Sequence, residues 1–352
     1  MNILAINPGS TSTKLAVYEN EKLLFEETIR HDDDELMKLG DLTAQLPYRL
    51  DAIMGVMRIR DFKLSSLDAI VGRGGMLKPM TSGTYTVDDY LLEDARSGKY
   101  GNHASNLGSI IAVEIAEEYQ LPAFIVDPVG IDELIDEARI SGLADIERKS
   151  HAHALNIKAV SRKIAAETGK KLAETSFVVA HLGGGISVAA LKGGRMIDVN
   201  NADNEGPFSP ERAGGLPAKQ LVQLCFSGKY SEKELLQRMT KKGGIYSYLG
   251  TKSVIEVEQR VQTGDPEASL ILKAMVHQIG KEIGAMATVL DGKADGIILT
   301  GGISQSEMIT DWIREKVSFI GEVFVIPGEA EMEALALGAL RVLTGHEKAK
   351  IY

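Results

Sequence analysis

The sequence predicts an α/β protein of two duplicated domains, and three observations carry that prediction. First, residues 3–17 read as a β-type run, a turn rich in glycine and hydroxyls, and a second β-type run, and residues 177–190 repeat the arrangement. Second, each of these units continues into a hairpin tip and a returning strand, while the segments around them alternate helical with strand patterning. Third, 352 residues exceed what one hydrophobic core ordinarily serves.

The elements follow in order. The first turn is Asn7-Pro8-Gly9-Ser10-Thr11-Ser12-Thr13-Lys14, with a hairpin tip at 18–22 and a third strand from Leu23 onward. Apolar residues at Ile110, Ile111, Ile115 and Ala116 have helical spacing over 107–119, and a buried strand at 123–126 is stopped by Pro128. An amphipathic helix is expected over 154–168. The second turn is His181-Leu182-Gly183-Gly184-Gly185, with its tip at 191–195 and returning strand at 196–199. Helices are expected at 217–226, 231–239 and 266–290, the last with a stripe of Leu270, Met275, Ile279, Ile283, Met286 and Leu290 that suits a core or a subunit interface. A strand at 296–300 ends in Gly301-Gly302, another strand spans 322–326, and a helix at 329–343 closes the chain. The domains are expected at 1–160 and 161–328, with 329–352 returning to the first.

Composition narrows the function. With 44% hydrophobic and 25% charged residues the chain reads as globular. A net charge of −10 argues against a nucleic-acid partner, since phosphate-backbone binding favours an excess of Lys and Arg. The lone Cys225 cannot form an internal disulfide, which fits a reducing cytoplasm, and its apolar neighbours suggest a packing role. No apolar run approaches the roughly 20 residues of a membrane span, and the start of the sequence has no leader pattern.

The two turns suggest phosphate chemistry. A turn with little side-chain bulk lets backbone N–H groups approach phosphate oxygens, and Ser10, Ser12 and Lys14 add donors and charge. There is no G-x-x-x-x-G-K-[ST], and neither turn leads straight into a helix, so the P-loop and dinucleotide readings fail. A phosphate-binding hairpin remains.

At this point a family resemblance becomes specific. The Asn7 to Lys14 turn resembles the N-terminal signature of acetate and butyrate kinases, the His181 to Gly185 turn their second phosphate loop, and Thr300-Gly301-Gly302-Ile303 their adenosine loop. The segment 201–217 is similar to butyrate kinases, as is Gly184 where acetate kinases usually carry Asn, and the shorter chain agrees. The resemblance implies two actin-like, ribonuclease H-like domains with mixed five-stranded sheets flanked by helices and an active-site cleft between them. It implies γ-phosphoryl transfer from ATP to butyrate or a branched short-chain fatty acid, giving ADP and an acyl phosphate with Mg²⁺, in a homodimer or higher homo-oligomer without nucleic-acid or membrane partners. The alternatives are an acetate or propionate kinase, an actin- or heat-shock-chaperone-like ATPase, and a sugar-kinase-like repressor. The second and third would need a large client surface or a basic helix-turn-helix, for which the sequence offers little room.

Such a reaction brings two anions together, so the protein must supply cations, whereas a carboxylate nucleophile needs no general base. Arg73, at a strand end before Gly74-Gly75, suits bidentate carboxylate binding or is an ordinary surface arginine. Arg212 lies in a Gly/Pro-rich loop, and the resemblance places it on the transferred phosphoryl group. Asp127 closes a strand, as turn caps do, and the resemblance sets it near Mg²⁺ and the phosphoryl group. Glu331 resembles the glutamate assigned to Mg²⁺, although Glu329 and Glu333 alternate with it and all three suit a helix start. His153 matches the histidine that contacts the phosphoryl group in flight; the spacing His151-x-His153 also invites a metal, but no third ligand is near in sequence. The resemblance implies that Asn7, Ser10, Ser12 and Lys14 lie by the β- and γ-phosphates. By the same likeness His181, Gly183, Gly184 and Gly185 hold ATP, Gly301, Gly302 and Ile303 line the adenosine, and 102–106 approaches the acceptor.

Overall fold

The computed structural model describes residues 1–352. They form two compact units: Met1–Asp132 with Ala330–Tyr352, and Glu133–Glu329. The first crossing falls earlier than residue 160. The reason is that the helix Ala154–Glu167 packs on two strands of the second unit, Ser176–Leu182 and Gly296–Gly301, and so belongs to its layer structure.

The first unit contains strands β1 (Asn2–Pro8), β2 (Ser12–Glu19), β3 (Lys22–Arg30), β4 (Ala69–Arg73), β5 (Thr84–Thr86) and β6 (Ala123–Val126). Its helices are α1 (Asp33–Leu39), α2 (Leu46–Ile59), α3 (Asp89–Ser97) and α4 (Leu107–Tyr119). The sheet order is β3-β2-β1-β4-β6-β5, so it has six strands rather than the expected five. The addition is β5, a three-residue antiparallel edge on β6 too short to show a period in sequence. β1, β2 and β4 are buried on both faces, whereas the outer strand β3 alternates between exposed and partly buried residues. α4 crosses β4 in backbone contact: a methyl on Gly72 would lie 2.0 Å from the Gly108 carbonyl oxygen. No other residue pair permits that approach.

The second unit contains helices α5 (Asp136–Arg139), α6 (Ala154–Glu167), α7 (Ala218–Cys225), α8 (Glu232–Thr240), α9 (Gly244–Leu249), α10 (Val254–Gln262), α11 (Pro266–Val289) and α12 (Glu307–Val317). Its strands are β7 (Ser176–Leu182), β8 (Ile186–Lys192), β9 (Arg195–Val199), β10 (Gly296–Gly301) and β11 (Val323–Pro327), ordered β9-β8-β7-β10-β11. This is the order of the first sheet without its edge strand. The pairing repeats too, with antiparallel hairpins β1-β2-β3 and β7-β8-β9 followed by parallel partners. Both glycine turns therefore join two strands, and neither opens a helix.

Capping side chains set several helix starts: Ser231 and Glu234 form a reciprocal capping box on α8, and Asp265 caps α11 just before Pro266. Met275, Ile279, Ile283, Met286 and Leu290 belong to the second core, but Leu270 is 67% exposed. α7 has no fully buried residue: Leu221 and Leu224 are partly buried, whereas Cys225 on it is exposed rather than packed. The closing helix α13 (Glu331–Leu343) returns to the first unit and packs on β1, β4 and β6.

Candidate active site

In the first unit the turn closes by a hydrogen bond from the Gly9 N–H to the Ser12 carbonyl at 2.8 Å. Asn7 and Lys14 are register partners across β1 and β2, so their side chains share one face. Lys14 is half-exposed with Glu26 at 3.8 Å, a weak pairing that leaves its charge usable. Ser10 is exposed and Ser12 partly buried. Beneath the turn lies a residue without a sequence signal, Arg49 of α2, which is fully buried and donates to the Ser10 and Ser12 carbonyls.

At the end of β4, Arg73 Nη1 meets Glu331 Oε1 at 2.5 Å, and the other carboxylate oxygen accepts from Asn7 Nδ2 at 2.6 Å. The first turn, a strand end and the start of α13 are thus tied through one carboxylate. The neighbouring glutamates do other things: Glu329, in the second unit, approaches His181 Nε2 at 3.3 Å, and Glu333 acts on Tyr18. Burial, Glu333 and Glu26 push the Tyr18 phenol up to about 12, so it is a neutral wall here. Asn106 shapes the loop after Arg73 from inside. It accepts from the Met76 N–H at 2.8 Å and donates to the Gly101 carbonyl at 2.9 Å. Asp127 follows β6 with φ 39°, is buried, and accepts from Ser82 Oγ at 2.5 Å and the Gly83 N–H at 2.8 Å.

In the second unit the glycine turn and Arg212 come together. A methyl on Gly185 would lie 2.6 Å from Arg212 Nη1, so the guanidinium lies over the turn. Ser209 joins the two loops, its hydroxyl donating to the Gly184 carbonyl at 2.5 Å and accepting the Arg212 N–H at 3.0 Å. Asp203 holds the guanidinium at 2.7 Å and also meets His151 at 3.0 Å. His153 instead contacts Ser187 at 3.0 Å and stacks on His181, with centroids 3.9 Å apart and planes within 10°. His151 and His153 therefore face different partners and form no metal pair. His181 is buried, with Nδ1 against Asn156 Oδ1 at 2.8 Å and Nε2 without a hydrogen bond. At the third turn Gly301 has φ 91° and touches the Leu182 backbone, whereas a methyl on Gly302 would meet open space. The Ile303 side chain is in the apolar core, so a ligand here would meet Gly302 and backbone.

Residues 145–337, more than half of the chain, match the family model described as the acetokinase family. The chain belongs to the acetokinase family. Membership in the acetokinase family implies an ATP:carboxylate phosphotransferase that works with ATP or ADP and Mg²⁺. Acetate kinase from Porphyromonas gingivalis has a similar fold, with a TM-score of 0.80 at 17% identity, over 98% of this chain and 100% of that one. A propionate kinase from Francisella tularensis gives 0.75 at 18% identity, over 96% and 98%. A ROK family protein from Streptococcus pneumoniae gives 0.52 at 14% identity, over 99% and 100%, which extends the likeness of fold beyond the acetate and propionate kinases.

The residues present fit both implied groups. Small turns with exposed donors, and open space at Gly302, suit a nucleotide. No group of three or more His, Cys, Asp or Glu gathers in the chain, so Mg²⁺ has no protein cage and would depend on one or two carboxylates plus waters and phosphate. Glu331, whose two oxygens meet Arg73 and Asn7, and Asp127, whose Oδ1 accepts from Ser82 and Gly83, are the carboxylates such an ion would draw on. Among residues missed from sequence, Ser209 sits in a Ser-Pro turn that the pattern could have flagged. Asp203, Asn156 and Arg49 carry no such signal. No helix is long and apolar enough to cross a membrane.

Proposed function

We propose that this acetokinase-family chain is a butyrate kinase, transferring the γ-phosphoryl group of ATP directly and in line to butyrate or a branched short-chain fatty acid. The observation that carries the transfer chemistry is the Arg212 guanidinium over Gly185, a cation already held at a turn suited to phosphate. In this reading Arg212 neutralises charge as it develops on the phosphoryl oxygens, His153 hydrogen-bonds to them, His181 helps the second turn hold ATP, and Arg73 receives the acid's carboxylate. Asn7, Ser10, Ser12, Lys14 and Gly183 to Gly185 hold the phosphates, and Gly301 to Ile303 flank the adenosine. Mg²⁺, when bound, would offset phosphate charge, with Glu331 and Asp127 as the carboxylates that would hold it. Glu331 occupies Arg73 in the free protein, so the acid would replace one carboxylate with another at the same guanidinium. The preference for butyrate is supported by the 201–217 loop and Gly184.

An acyl-hydroxamate assay with C2 to C6 acids tests the reading. Highest kcat/KM with butyrate or isobutyrate is expected, with activity tailing to neighbours because one methylene is worth only about 1–3 kcal/mol. A peak at acetate or propionate would reassign the substrate, and ATP hydrolysis indifferent to every acid would favour a switch-type ATPase. A cytoplasmic homo-oligomer completes the proposal: Val222 and Phe226, 55% and 88% exposed on or beside α7, are the apolar surface that supports it. A monomeric mass by light scattering would remove that part.

A further inference from the structure

The fully buried Arg49 has no place in the chemistry above, yet its surroundings are unusual. Each of its five guanidinium N–H groups is used. Nε and Nη2 donate to Gln45 Oε1 at 3.2 and 3.0 Å, Nη1 to the Ser12 carbonyl and Thr13 Oγ1 at 3.0 Å each, and Nη2 to the Ser10 carbonyl at 3.1 Å. All of these acceptors are uncharged, and Arg49 forms no ion pair with a carboxylate. A buried cation without a counter-charge is costly, and proteins seldom retain one unless something else compensates it.

The same contacts define what the first turn can offer a ligand. The Ser10 and Ser12 carbonyls are taken by Arg49, Ser12 also accepts the Gly9 N–H, and the Thr11 carbonyl accepts the His31 N–H at 2.9 Å. Every carbonyl from Ser10 to Ser12 is therefore turned to the protein side. The turn is left to present donors, with a positive charge directly beneath it.

We propose that Arg49 is the positioning residue and buried counter-charge of the first turn, and that the anion it awaits is the phosphate chain of the nucleotide. This rests on the nucleotide-binding reading above and adds a residue to it. The guanidinium holds the carbonyls away from the ligand and supplies charge through a low-dielectric layer, where it is less screened than at the surface.

The test is calorimetric titration of Mg·ADP, without acid, into the native protein and the variants Arg49→Lys, Arg49→Met and Gln45→Met, alongside thermal melts. Arg49→Met is expected to weaken ADP about thirtyfold or more, and Arg49→Lys, which keeps the charge but loses the fork, about fivefold. Gln45→Met removes an acceptor remote from the turn, so it should lower Tm yet leave ADP affinity within about twofold. If Arg49→Met does not fold, Arg49→Lys against Gln45→Met decides. Equal ADP affinity in native and Arg49 variants, or equal losses in Gln45→Met and Arg49→Lys, would overturn the proposal while leaving nucleotide binding intact. Failure of the native protein itself to bind ADP would instead overturn the functional reading, and this inference with it.

Discussion

Arg73 and Glu331, from opposite ends of the chain, form a 2.5 Å ion pair in which both side chains are largely shielded, at 21% and 13% exposure. The pair ties the end of β4 to the start of α13, and Asn7 completes it from the first turn. The guanidinium proposed to receive the substrate carboxylate is in this way kept in place by a protein carboxylate.

Arg73→Ala should raise KM for the acid at least about tenfold, with a much smaller change in KM for ATP, because the lost contact belongs to the acceptor. Steady-state kinetics with each substrate varied in turn would show it. An unchanged acid KM would move the acceptor site elsewhere. Glu331→Gln should raise the Mg²⁺ concentration for half-maximal activity, and no change there would remove Glu331 as a metal ligand.

Arg212→Ala should reduce kcat about a thousandfold while leaving ADP affinity nearly unchanged, since its contact is stronger in the transition state than in the ground state. Gly185→Ala should act on the same group, because the added methyl must push the guanidinium off the turn. Near-normal turnover in both variants would deny Arg212 its role.

Two adjacent glycines should behave oppositely. Gly301→Ala meets both a left-handed φ of 91° and the Leu182 carbonyl at 2.4 Å, and should cost about 2 kcal/mol or more in unfolding experiments. Gly302→Ala has open space and should leave Tm unchanged while weakening nucleotide binding. Unaltered ADP affinity in Gly302→Ala would take the nucleotide away from this turn.

His31 predicts a pH dependence of stability. Burial first, and the Arg49 guanidinium second, lower its imidazole from 6.5 to about 4. Its neutral form is favoured in the folded state, so its contribution is complete above about 6.5 and is lost as pH falls toward 4. His31→Gln should flatten the fall in Tm over that window; an identical slope would count against it.

Much of the architecture was legible because repeating units leave local marks. Hairpins with small turns, β-type runs and apolar residues at helical spacing are written in adjacent residues, and the two-unit α/β class followed from them. The edge strand β5 was not legible, since three residues show no period and its partner β6 lies far along the chain. The exposure of Cys225 was misjudged for a related reason: an apolar helix announces itself in sequence, but whether another element covers it does not.

By itself the sequence determined the two turns, the hairpins they belong to and the residue types able to hold phosphate and a carboxylate, all properties of short stretches whose backbone and charge are local. Only the tertiary structure decided which of Glu329, Glu331 and Glu333 meets Arg73, that Arg212 lies over Gly185, and that Arg49 stands beneath the first turn. Those relationships join residues distant in the chain through side-chain direction and burial, and the packing of sheets and helices sets both.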